Sequence, residues 1–197
     1  MKSVTSINQI YLKITLPFLI AVIFGCSQNE KQTSELIGTW KIACSTDMSV
    51  GEHEIRSVIF EDNIIIKNLT YFEDSNCLLP KFTAESIAQY TKGEQIEIST
   101  GETVTELDLT FVSASITPEN DKITTSFNDD TYCDFSGWSN GVKIDVSTCP
   151  DLNNSKYSYG IVFVDHNNLY FGDTDTGSGD SIDERANLLN NKYYTKE

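Results

Sequence analysis

The sequence predicts an all-β fold, an antiparallel barrel of about 8–10 strands followed by a short C-terminal helix. Three observations carry this. From Leu36 onward apolar residues recur every second position, where a helix would repeat them every ~3.6. Turn-forming clusters separate the alternating runs at spacings near the ~8–12 residues typical of sandwiches and barrels. With only four prolines and eleven glycines in 197 residues, the chain has no hinge or linker after residue 35. A chain of this length buries close to ~70% of its extended-state surface, enough for one core. Closing the sheet into a barrel removes the unpaired ladder of an edge strand.

In chain order, residues 1–25 read as an export signal. Lys2 gives a basic head, Leu16 to Phe24 an apolar run, and the small Gly25 precedes Cys26. The run is about half the ~20 residues needed to cross a bilayer as a helix, and Pro17 lies near its start, so a permanent transmembrane anchor is disfavoured. Residues 26–35 are polar, with nothing to bury between Ser27 and Ser34, and read as a flexible tether. Residues 36–197 form the domain. Ile64-Ile65-Ile66 is a continuous apolar run, whereas Ile96-Glu97-Ile98, Leu107 to Phe111, Val142 to Val146 and Tyr157 to Phe163 alternate, each with one dry and one wet face. Glu61-Asp62-Asn63, Pro118-Glu119-Asn120-Asp121, Asn140-Gly141 and Asp165-His166-Asn167-Asn168 are the turns between them, their side chains accepting positive φ or bonding their own backbone. The helix is expected over Asp183 to Asn190, with Ile182, Leu188 and Leu189 on its apolar side.

Charge excludes two classes of partner. The formal net charge is −15, and beyond residue 25 there remain 12 bases against 29 acids. An electrostatic nucleic-acid binder needs cations to release condensed counterions, and a polybasic hold on anionic lipid needs them too. Hydrophobic content of 39% is too rich for a disordered acidic chain.

Ile23-Phe24-Gly25-Cys26 resembles the lipobox of bacterial lipoproteins, although Phe24 is larger than the residue usual there. The resemblance implies that Cys26 becomes the mature N-terminus and carries the lipid. Two or three acyl chains, at ~0.8 kcal/mol per buried methylene, would make that attachment lasting. Ser27 after the cysteine implies export to the outer membrane of the cell envelope, facing either the periplasm or the outside. Cys44, Cys77, Cys133 and Cys149 remain, an even count that suggests two disulfides in an exported chain. The sequential pairing, Cys44 with Cys77 and Cys133 with Cys149, is favoured because each pair then brackets neighbouring strands. A zinc site is the alternative, but no CxxC or Cys/His doublet at metal spacing occurs.

Gly38-Thr39-Trp40, in a first strand followed by hairpins, resembles the Gly-x-Trp motif of lipocalins and of lipocalin-like bacterial lipoproteins. The resemblance implies a pocketed barrel for a small hydrophobic or amphipathic ligand, with Trp40 plugging one end and a late arginine, Arg185, covering its ring. A barrel filled by its own side chains, serving protein–protein interaction through its acidic exterior or through Tyr71, Phe72 and Trp138, is the alternative.

Catalytic and cofactor signatures are weak, and the reading is of a protein that is not an enzyme and has no cofactor. Gly137-Trp138-Ser139-Asn140-Gly141 matches the hydrolase pattern G-x-S-x-G, but that chemistry requires a strand, an elbow and then a helix, and here a hairpin turn is expected. His53 and His166 have no recognisable nucleophile partner. Asp173, Asp175 and Glu184 occupy positions 1, 3 and 12 of a calcium-type loop; Gly177 replaces a ligand and Ser178 the invariant glycine, so a solvated acidic loop is the first expectation.

Overall fold

The computed structural model describes residues 35–47, 51–149 and 156–197. Cys26, the signal segment and nearly all of the tether lie outside the described residues. Among the described residues nine strands form one antiparallel sheet: β1 (Gly38–Asp47), β2 (Glu52–Glu61), β3 (Ile64–Phe72), β4 (Pro80–Glu97), β5 (Thr103–Pro118), β6 (Ile144–Asp145), β7 (Tyr157–Asp165), β8 (Asn168–Gly172) and β9 (Leu189–Lys196). β4 pairs with β5 and β1 with β9, so eight of them close a ring in the order β1-β2-β3-β4-β5-β7-β8-β9. Among the described residues β6 pairs with β5 alone and stands outside the ring. The all-β barrel expected from the period-two pattern is therefore the observed fold.

Local chemistry accounts for the hairpins. Asp62-Asn63 joins β2 to β3 and His166-Asn167 joins β7 to β8, each between directly paired strand residues, and His166 adopts φ 56°. The β3–β4 connection is held by Asp74, whose carboxylate accepts from the backbone N–H groups of Leu79, Leu78 and Asn76 at 2.8, 2.9 and 3.2 Å. Those bonds hold the Asp74 carboxyl below the usual carboxylate range. Disulfides join Cys44 to Cys77 and Cys133 to Cys149, in the sequential pairing.

Three expectations about elements need correction. Pro118 to Asp121 begins a helix, α1 (Asp121–Asp129), because Asn120 caps it by accepting from Ile123 N–H at 2.9 Å and Asp121 complements the first-turn dipole. Asn140-Gly141 makes a turn, with Val142 N–H donating to Ser139 at 3.1 Å, but no hairpin: only Ile144 and Asp145 pair as a strand beyond it. The helix expected over 183–190 is absent. A single 3-10 turn spans Ile182–Glu184, Arg185 is extended, and β9 starts at Leu189, where closing the ring between β8 and β1 outweighs local pattern.

Trp40 is wholly buried among Leu36, Val58, Phe60, Ile65, Tyr90, Leu107, Val162 and Leu169. The cation over its indole is Lys196 on the adjacent β9, with Nζ 4.9 Å from the ring centroid, and not Arg185. Arg185 instead lies over Tyr159, donates to the Gly160 carbonyl at 3.0 Å, and pairs with Asp108 and, at 3.2 Å, with Glu106. It latches the β8–β9 connection onto the outer face of β5 and β7. That approach is close: a Cβ on Gly177 would stand 2.5 Å from the Arg185 backbone, and one on Gly179 (φ +74°) would stand 2.8 Å from the Tyr159 carbonyl oxygen. Replacing Arg185 with methionine is expected to cost about 1–3 kcal/mol, less than for a fully buried pair because Asp108 and Glu106 keep some water. Urea unfolding measures the cost, and faster amide exchange over 177–186 locates it. Unchanged exchange there would show that the latch holds nothing.

The end of the barrel away from Trp40 is covered by the excursion between β5 and β7. Ala114, Ile116, Trp138, Val146 and Cys149 form a second buried cluster, with Phe82, Phe127 and Tyr132 against it. Rings run Tyr71–Phe82–Phe127–Trp138 at centroid distances of 4.9, 5.6 and 5.0 Å. Phe72 and Trp138, expected to be exposed, are buried, and Tyr71 is partly so.

A candidate ligand-binding cavity between two apolar ends

The inward face of each strand follows from the pleat, since every second residue points the same way. On β2 that face carries Glu54, Arg56, Val58 and Phe60. On β3 it carries Ile65, Lys67 and Leu69, and on β4 Ala84, Ser86, Ala88 and Tyr90. The register confirms the match: Lys67 pairs with Val58 on one side and Ser86 on the other, and Arg56 with Leu69. Large side chains therefore fill the Trp40 end, while β4 contributes Ala-x-Ser-x-Ala at mid-height. The space left by those small residues is open.

Three recesses of about 330, 370 and 330 Å³ occupy this level, and Lys67 lines all of them. One recess is bounded by Leu69, Ala84, Ala114, Ile116 and Val146 and leads toward the second apolar cluster. The others reach Ser158 and Ser178, and one of them Asp180, where β8 has ended at Gly172 and the Gly179 carbonyl accepts from Tyr159 N–H of β7. Volumes of this order suit a small organic ligand.

Lys67 crosses the lumen. β3 and β8 stand four strands apart in an eight-membered ring, and the Lys67 Nζ lies 5.4 Å from the centroid of Phe171 on β8. Its side chain is exposed to solvent, and desolvation by the protein around it holds its pKa below the usual lysine range. Among the described residues no carboxylate comes within salt-bridge reach of it. Arg56, by contrast, is committed. Its Nε donates to Glu54 Oε1 at 2.7 Å and its Nη2 to Asp47 Oδ2 at 3.2 Å. Burial alone would depress the guanidinium; the Glu54 hydrogen bond and charge, with Tyr194 and Asp47 behind them, outweigh it and leave Arg56 above its ordinary value. Glu54 is wholly buried, and its Oε2 has no hydrogen-bond partner among the described residues. Burial pushes the Tyr194 phenol up, with Arg56 pulling the other way.

None of the residues singled out for chemistry by the sequence lies in this cavity. His53 Nδ1 bonds Thr46 at 3.2 Å and His166 Nδ1 bonds Asp165 at 2.5 Å, both at the surface. Ser139 lies in its turn. Asp173, Asp175 and Glu184 do not converge. Asp173 Oδ1 accepts from Asp175 N–H at 3.0 Å, Glu184 Oε2 accepts from the Ser178 hydroxyl at 2.8 Å, and among the described residues no three ligating side chains are gathered for a metal. The loop closes on itself. Lys67, Arg56, Glu54 and Tyr194 were not singled out, though charges at Glu54-x-Arg56 and Lys67, in step with Val58, Phe60, Ile65 and Leu69, are the signal that marks them. No known family model matches the chain, and no curated protein matches it significantly.

Proposed function

We propose that this chain is a lipid-anchored lipoprotein of the bacterial cell envelope, held at the outer membrane through acylated Cys26, whose barrel binds a small apolar or amphipathic molecule without transforming it. The observation that carries the reading is the mid-barrel cavity between two apolar clusters, lined by small residues of β4. A carrier needs that combination of sealed ends and an open middle, whereas a purely structural barrel would fill the space with its own side chains. The Ile23-Phe24-Gly25-Cys26 segment supports the anchor, and two disulfides suit an oxidising compartment. Mass spectrometry of protein extracted from membranes tests both halves: the expected result is a chain beginning at diacylglyceryl-Cys26 together with a co-purifying small molecule. An unmodified chain in the cytosol with reduced thiols would overturn it.

A further inference from the structure

Resting on that reading, we infer that the cavity selects an amphiphile with a single anionic head, a carboxylate seated on the Lys67 ammonium, and an apolar body lying in the recess of Leu69, Ala84, Ala114, Ile116 and Val146. Three features lead there. Lys67 lines both the recess that reaches Ser178 and Asp180 and the recess of Leu69, Ala84 and Ile116, so one molecule can touch the ammonium and the apolar wall together. The other lumen cation, Arg56, already faces Glu54 and Asp47, whereas Lys67 faces the Phe171 ring. The Lys67 ammonium is open to solvent inside the ring and stacks on Phe171, and no carboxylate among the described residues pairs with it. A bound carboxylate supplies that pairing by a charge-assisted hydrogen bond in a partly desolvated site. A cationic head would meet repulsion from Lys67, and a neutral head would leave the ammonium unpaired.

Calorimetric titration of the full-length protein with decanoate, 1-decanol and decylamine, which share one tail, tests the headgroup. Decanoate is expected to bind at least tenfold more tightly than decanol, with decylamine weakest. Lys67→Met should abolish the decanoate preference while leaving decanol, which forms no ion pair with the ammonium, bound with less than about tenfold change, and Lys67→Arg should restore it. Equal affinity for decanoate and decanol, or a preference that survives Lys67→Met in a protein with unchanged circular dichroism, overturns the anionic head and leaves the apolar carrier intact. Should Lys67→Met not fold, the three-headgroup series on the wild type and on Lys67→Arg decides alone. Absence of binding by all three overturns the carrier reading itself.

Discussion

Replacing Trp40 with alanine is expected to remove about 3–5 kcal/mol of stability, the usual cost of deleting a large aromatic from a packed core. Against a total of about 5–15 kcal/mol for a domain, that is enough to leave much of the protein unfolded at moderate urea. The indole is fully buried and contacts inward side chains from across the ring, so its removal leaves a void that the curved strands cannot close. It also strands the Leu36 carbonyl, which accepts from Nε1–H at 2.7 Å, and takes the ring from under Lys196, whose Nζ keeps its bond to the Glu35 carbonyl at 3.1 Å. Trp40→Phe keeps much of the apolar area and should cost markedly less, about 1–3 kcal/mol including the unpaired carbonyl. Lys196→Met removes only an exposed cation over a ring, worth about 0.5–1 kcal/mol. Urea unfolding of the three variants gives the ordering directly; a Trp40→Ala loss below that of Lys196→Met would mean this core is not held by the indole.

The strands and most hairpins were legible because the inputs are local. Asp62-Asn63 and His166-Asn167 carry the turn chemistry, and Leu107 to Phe111 or Tyr157 to Phe163 alternate without interruption. The lost elements are those decided by distant partners. Leu188-Leu189 reads equally as a helix face, yet Leu189 belongs beside Ile98, Val104 and Ile161, and Arg185 is drawn straight by Glu106 and Asp108. The arginine expected on Trp40 was placed by its late position alone, while β9 delivers Lys196 to the same ring by register. For the cavity, the residues were visible but the phase was not used. Read on the phase of Val58 and Phe60, Glu54 and Arg56 fall inside; read on the phase of Ile65 and Leu69, Lys67 does too. Charges on a dry face are the mark of a site, since a barrel built for stability alone places them outside.

Arg56→Leu should be nearly as damaging as loss of Trp40, at about 3–5 kcal/mol, because it leaves a buried charge without its counterion. Glu54 Oε1 has Arg56 Nε as its 2.7 Å donor and Oε2 has no partner among the described residues, so no second donor stands ready to take over. Asp47 also loses the Nη2 contact at 3.2 Å, though its greater exposure lets water substitute. If the loss is the penalty of an orphaned carboxylate, the double variant Glu54→Leu/Arg56→Leu must recover most of it, since replacing both partners with apolar groups of similar size is often near neutral. Urea unfolding of the wild type, both single variants and the double variant closes the cycle, with a coupling of about 2–3 kcal/mol expected for groups in direct contact. Additive losses would show that Arg56 stabilises the barrel through its packing and not through Glu54. The same set separates stability from binding. Arg56 is already paired, so decanoate affinity should fall less than tenfold in the double variant at urea-free conditions, whereas Lys67→Met removes the carboxylate preference in a protein that is no less stable. A double variant that lost the preference altogether would move the anion seat from Lys67 to Arg56.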